Sequence, residues 1–185
     1  MASLEHLNWH VVASVAKWDF ETLDRLGLLN EQADALRSEG VQPYADGIWD
    51  RGNILCNAGI NRMLNLLIGG GGQAFNNANT RLGTGNGSSA AAATDTDLSA
   101  AAGANNRYFC VADATYPSVS AQTLTLQSTF TNANGNYQWT EWGIDNGTVS
   151  GTTVVAPLLN HKIPSPNLGT KTSGSWALTV TLTIS

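Results

Sequence analysis

At the C-terminal end of the chain, Trp176, Leu178, Val180, Leu182 and Ile184 alternate with Ala177, Thr179, Thr181 and Thr183. A period of two is the mark of a strand with one buried face. The stretch from Gln122 to Thr131 repeats it, with Leu124, Leu126 and Phe130 turned inward and Thr123, Thr125, Gln127 and Thr129 outward. Near the N-terminus Leu7, Trp9, Val11, Ala13 and Val15 alternate with His6, Asn8, His10, Val12 and Ser14. Shorter strand signals cover 80–83, 107–112, 137–144 and 152–163, the last ended by Pro164. Asn134-Gly135 reads as a tight hairpin turn, because both residues tolerate positive φ. The predicted core is Leu124, Leu126, Phe130, Trp139, Glu141, Trp176, Leu178, Val180 and Leu182.

One segment has a helical period instead. Leu55, Ile60, Met63, Leu64 and Leu67 fall near i, i+3/i+4 spacing, with Asn53 as the expected N-cap and Gly69 to Gly72 as the stop. Gly59 inside this helix suggests close approach of another backbone. Two weaker helices precede it: one capped by Asp19, with Phe20, Leu23 and Leu26 on one face and Gly27 as its end, and one over 31–38 that ends at Gly40. Gln42-Pro43-Tyr44 and Asp46-Gly47 read as turns.

Together these elements predict a mainly β protein, an antiparallel β-sandwich with an N-terminal arm and one helix preceding the sandwich. The expected divisions are an arm over 1–51, a helix and glycine-rich linker over 52–72, and the sandwich over 73–185. The arm has many breakers and a heavy aromatic load. Trp9, Val11, Trp18, Phe20, Tyr44 and Trp49 are therefore expected at an interface with other chains. A homo-oligomer is expected, with a trimer the first expectation.

Charge sharpens this division. Residues 1–51 hold four basic and nine acidic residues, which accounts for the whole net charge of −5. The remaining 134 residues hold five of each sign, so their surface is mostly Thr, Ser, Asn, Gln and Gly. Such a surface is a poor phosphate binder, and nucleic acid is not expected as a partner. Mean hydropathy is −0.11, and no apolar run approaches the ~18 residues of a membrane span. The start, MASLEHLNWH, has neither the basic nor the apolar region of a secretory signal. Cys56 and Cys110 are expected as two free buried thiols, which suits synthesis in a reducing cytoplasm.

Candidate chemistry is sparse. His6 and His10 have i, i+4 spacing, but no third zinc ligand is near them, and His161 stands far away. The GTGNG run at 83–87 lacks the Lys-Ser/Thr of a phosphate loop and reads as a flexible loop. Asp95, Asp97 and Asp113 lack the glycine and distal Glu of a calcium loop. There is no G-x-S-x-G elbow. Glu141 stands between Trp139 and Trp142 on a predicted strand. It reads either as an acid held by backbone donors, Arg107 or Lys162, or as part of a sugar platform or lone catalytic acid. A glycosidase would need a second carboxylate facing it, for which Asp113 and Asp145 are the candidates. The structural role is favoured: no catalytic residue, metal or cofactor is expected.

Several phrases in order carry a resemblance: GNILCNAGINRMLNLL, then FNNANTRLGTGNGSSAAAATDTDLS, VADATYP, LTLQSTFT, NYQWTEWGIDNG, LLNHKI and LGTKTSGSWALTVTLTIS. Over residues 52–185 this resembles a family of small virion-associated proteins of tailed bacteriophages. The resemblance implies a non-enzymatic structural role on the particle, made in the host bacterial cytoplasm and located in the virion. Capsid decoration, with the arm lying across capsid subunits, is the expected form. A tail or fibre accessory protein, in one version a carbohydrate-binding module using Trp139 and Trp142, is the alternative.

Overall fold

Trp176, Leu178, Val180 and Leu182 lie along the middle of a five-stranded antiparallel sheet, paired on both sides. The structure, a computed structural model, describes residues 8–185, the side chains of Ile48 and Trp49 excepted. Its elements are β1 (Trp9–Trp18), α1 (Phe20–Leu26), α2 (Ala33–Ser38), β2 (Ala45–Arg51), β3 (Ile54–Leu55), α3 (Asn57–Leu67), β4 (Thr80–Gly85), β5 (Arg107–Val111), β6 (Ser118–Ser120), β7 (Thr123–Phe130), β8 (Gln138–Trp139), β9 (Glu141–Asn146), β10 (Asn160–Lys162), β11 (Gly169–Thr170) and β12 (Ser175–Ile184). One sheet has the order β2-β1-β12-β7-β6 and a second the order β3-β10-β9-β4-β5, while β8 and β11 form a small pair. The protein is mainly β, and the pairings among the described strands are antiparallel.

The two large sheets share one core. Val11, Ala13, Val15, Leu126, Leu178 and Val180 come from the first, and Leu82, Cys110, Trp142 and Ile144 from the second. At one end of this core Trp139 meets Phe130 and Trp176 edge-on, with ring centroids 4.7 and 5.1 Å away. Aromatic edges and faces attract at such distances, in addition to the area they bury. The predicted core residues are buried, except that Leu124 is half-buried against the cluster and Glu141 is buried on the other face of its sheet.

The N-terminal region corrects the expected division at residue 51. β1 is an inner strand, in register with β12 from Trp9 opposite Ile184 to Trp18 opposite Ser175. β2 covers its other edge. The two faces of β1 serve two cores: Val11, Ala13 and Val15 face the shared core, while Ala16 and Trp18 join Leu23, Ala33, Leu36, Val41 and Ala177 beneath α1 and α2. Trp18 is fixed there by its indole nitrogen, which donates to the Val41 carbonyl at 2.9 Å. Residues 9–51 are therefore integral to the fold, and of the aromatic load expected to need another chain Trp18 is buried within this one and Trp9 half-buried.

Of the predicted interface residues, Val11 and Trp18 are buried in their own chain, Trp9 is half-buried, and Phe20 and Tyr44 are exposed. The Trp49 side chain, His6 and the start of the first alternating run lie outside the described residues.

Local expectations fared unevenly. Asp19 caps α1 through the Thr22 N–H, and Gly27 ends it at φ 73°, a conformation that favours glycine. Of its expected apolar face only Leu23 is buried. The third helix starts later than expected, with Cys56 rather than Asn53 at the N-cap position. The run 42–47 is not all turn, because β2 begins at Ala45. Asn134-Gly135 does not join a hairpin: β7 pairs with β12 and β6, and the chain then crosses to the other sheet. The predicted strand over 152–163 is reduced to β10, residues 160–162. The residues before it form a loop that covers the second sheet.

Candidate functional site

Side chains alternate along β9. Trp142 and Ile144 enter the shared core, so Glu141, Gly143 and Asp145 face the opposite way. The neighbouring strand β4 presents Gly83 and Gly85 to that outer face, opposite Gly143 and Glu141. These glycines are needed for space. A Cβ on Gly83 would overlap the Phe109 ring, and one on Gly85 or Gly87 would overlap the Glu141 carboxylate, each closer than 3.0 Å. The GTGNG run is thus not a free loop as expected. Its first part is strand, with a face kept bare so that other side chains can lie flat upon it.

The loop over 86–106 folds back over this bare face and is held by Glu141. One carboxylate oxygen, Oε1, accepts from the Ala100 N–H at 2.8 Å and the Gly87 N–H at 3.3 Å. The other, Oε2, accepts from the Ser99 N–H at 2.8 Å, the Ser99 hydroxyl at 2.8 Å and His161 Nε2 at 3.0 Å. Arg107 ties down the same loop. It pairs with Asp97 at 2.8 Å and donates to the carbonyls of Ala100 and Thr152 at 3.1 and 2.7 Å.

His161, opposite Gly143 on β10, lies between two acids. Its Nδ1 is 2.7 Å from Asp95 Oδ2, which also accepts the Ala92 N–H at 2.8 Å. Both ring nitrogens face carboxylate oxygens, and only the doubly protonated ring can donate to both. Burial alone would lower the pKa of His161, but hydrogen bonds to Glu141 and Asp95 and their negative charges outweigh it and raise it. Burial would raise the pKa of Glu141, yet the donors from His161, Ser99 and Ala100 hold it below its ordinary value. Asp95 is likewise lowered, with burial outweighed by His161 and the Ala92 N–H.

The chemistry open to this cluster follows from its saturation. A carboxylate has about four lone-pair sites, and Glu141, fully buried, already receives five donors. The expected alternatives of Arg107 or Lys162 as its partner are corrected: Arg107 serves Asp97 and loop carbonyls, and Lys162 reaches Asp50 at 3.4 Å. Nor do the proposed second carboxylates face Glu141 as a catalytic pair. Asp145 is bound to the Arg81 guanidinium and the Val155 N–H. Asp113 accepts the Thr129 N–H and hydroxyl at 2.9 and 2.7 Å. Trp139 and Trp142 are fully buried and cannot form a sugar platform.

Two other buried basic groups are also used as fasteners. Arg81 secures a second loop by donating to the carbonyls of Val149 and Thr153 at 2.8 and 3.0 Å. Lys171, buried, donates to the carbonyls of Thr131 and Asn134 at 2.9 Å each and to Asn136 Oδ1 at 2.6 Å. Burial pushes its pKa down to about 8. Cys56 and Cys110 are free and buried, and burial raises the Cys56 thiol to about 11, so it is not a poised nucleophile. Asp95, Asp97 and Asp113 serve three different partners. Among the described residues no group of three or more His, Cys, Asp or Glu is placed to hold a metal ion, and no helix is long and apolar enough to cross a membrane.

No protein-family model matches the chain, nor does any curated protein or solved structure.

Proposed function

We propose that this chain is a structural component of a tailed-bacteriophage virion, most specifically a capsid decoration protein. In this reading the two sheets form an antiparallel sandwich whose surface contacts other virion subunits and copies of itself. The observation that carries the structural part is the state of Glu141: the acid of the Glu141–His161–Asp95 cluster is saturated by donors that fix a loop. The buried basic side chains Arg81, Arg107 and Lys171 are spent in the same way on loop carbonyls. A module whose charges serve to hold long loops rigid suits a static role on a particle surface. The sequence resemblance over 52–185 supplies the phage context.

The attachment surface in this reading is a docked layer and not a free arm. α1, α2 and the segments beside them lie over the first sheet and expose Asp19, Glu21, Asp24, Glu31, Glu39 and Asp46. That acidic surface suits a basic patch on a capsid subunit. The test is mass spectrometry of purified particles of the phage that encodes this chain, with gold labelling of a tagged copy. The expected result is the chain in fixed ratio to the capsid subunit, with label over the shell. Its absence from purified particles would overturn the reading, and label confined to the tail would move it to a tail accessory role.

A further inference from the structure

α3 carries its apolar residues on the outside. Gly59 is its one buried residue, and Leu64, Leu67 and the adjoining Ile68 are exposed. Beside it lie two grooves of about 410 and 480 Å³ that share Trp9, Met63 and Ile184 as walls. One continues to Val119 and Leu124 at the edge of the first sheet, and the other runs under Ile60, Leu64 and Leu67. The shared walls make them one continuous apolar face with a hollow and a ridge.

We infer that this face is covered by the same face of a second copy of the chain. Two observations select that occupant. The first is charge. Among the described residues no ionisable one lines either groove, and the single charge on α3, Arg62, turns away to Asn146 at 2.7 Å and to the Phe75 ring. The net charge of −5 is carried by residues 1–51, and the described residues of the facing surfaces bring no carboxylate, so two copies meet here without like-charge repulsion among those residues. A charged partner, by contrast, finds nothing to pair with. The second is area. Leu64, Leu67, Ile68, Val119 and Ile184 each expose 39–81% of their surface. That is on the order of 500 Å² per copy and about 1,000 Å² for a facing pair, where specific interfaces begin. A patch of that size is at the upper end of what a monomer exposes, and such patches commonly mark a functional surface. The hollow and the ridge are neighbours on one surface, so copies related by a closed rotation axis fill each other's grooves. This deepens the self-association in the function proposed above by naming its surface, and it does not depend on the virion context.

Sedimentation velocity of the full chain at tens of micromolar tests it, with Leu67→Glu as the disrupting variant and Val155→Glu, on an exposed loop elsewhere, as control. Circular dichroism and thermal melts establish that both variants fold. The expected result is a dimer or trimer for the parent and the control, and association weaker by about 100-fold for Leu67→Glu, as burying an unpaired charge implies. A parent that stays monomeric overturns the inference, and one that associates only after removal of residues 1–7 overturns it too, assigning the face to that segment. An oligomer indifferent to Leu67→Glu overturns this surface while leaving self-association itself standing.

Discussion

Gly59 of α3 rests directly on the backbone of Leu159. A Cβ at this position would lie closer than 3.0 Å to the Leu159 Cα, carbonyl carbon and carbonyl oxygen. The Cys56 N–H donates to the same carbonyl at 2.9 Å, so the start of the helix and the segment entering β10 are fastened together at one point. Gly59→Ala sets a gain in helix propensity of ~1 kcal/mol against a backbone overlap that no rotamer relieves. The overlap wins. The expected net cost is about 1–3 kcal/mol, read as a lower urea midpoint with an unchanged m-value.

Glu141→Gln keeps the shape of the side chain and removes its charge. A Gln amide has one oxygen to accept with, and its NH2 would face donors from Ser99 or from Ala100 and Gly87. His161 would lose one of its two anionic partners. Charge-assisted bonds are worth ~1.5–3 kcal/mol, and breaking a buried pair costs about 3–5 kcal/mol. The expected loss is about 3 kcal/mol, together with faster proteolysis within 86–106. A variant with parental stability and an equally resistant loop would show that Glu141 does not hold that loop.

Much of this organisation was legible in the sequence, though not its connections. The alternation in β12 and β7 was plain because each has one face in the core and one face of Thr or Gln. The strand in β1 was visible too, but its acidic, breaker-rich continuation suggested an arm. What the sequence does not display is that β1 has two buried faces, one on the sheet-to-sheet core and one under α1 and α2. Glu141 was singled out, and backbone donors were anticipated for it. Its partner His161 lies 20 residues away, and Asp95 a further step from there, 66 residues from His161. No spacing rule joins positions that only sheet register brings together. A usable signal was present in Gly83, Gly85 and Gly87. A strand with glycine at alternate positions has a bare face, and a bare face needs something to lie on it.

The integration of β1 leads to a prediction about truncation. Removing residues 1–18 would strip β12 of its partner along ten positions and uncover Leu178, Val180 and Leu182 on that edge. It would also remove Trp18 from the second core. The edge strand β2 would be left with no sheet to join. Losing several buried side chains at ~1.5–3 kcal/mol each exceeds the whole stability of an ordinary domain. The truncated chain is expected to show no cooperative melt. Truncation before Trp176 should act in the same way, because β12 separates β1 from β7. A cooperative melt from either product would mean that the rest of the chain holds a core of its own.

His161 and the carboxyl of Asp113 respond to pH in one sense and Glu141 in the other. His161 is raised, so its contribution is complete below its ordinary value of 6.5 and is lost as pH rises through the folded value. Glu141 is lowered, so its contribution is present above its ordinary 4.5 and is lost as pH falls through the folded value. The fastening of the 86–106 loop is therefore strongest between these two ordinary values. Asp113 differs because burial pushes its pKa up to about 6 from 3.8, against the hydrogen bonds from Thr129. Its other charged neighbours are Asp34, which opposes ionisation, and Arg37, which favours it, both on α2. A raised carboxyl binds its proton more tightly in the folded chain, so stability falls as pH rises from 3.8 through about 6. Two units at ~1.4 kcal/mol each set the loss at up to about 3 kcal/mol. Asp113→Asn keeps an acceptor for the Thr129 N–H and cannot ionise. Thr129 also receives the Ala33 N–H at 3.0 Å, so the same junction ties α2 to the sheet. The expected outcome is that the variant gains stability relative to the parent as pH is raised from 4 to 7, with most of the gain centred near 5. Denaturant melts of both proteins across that range make the comparison. A parent-to-variant difference that stays constant with pH would show that Asp113 ionises as freely in the fold as out of it.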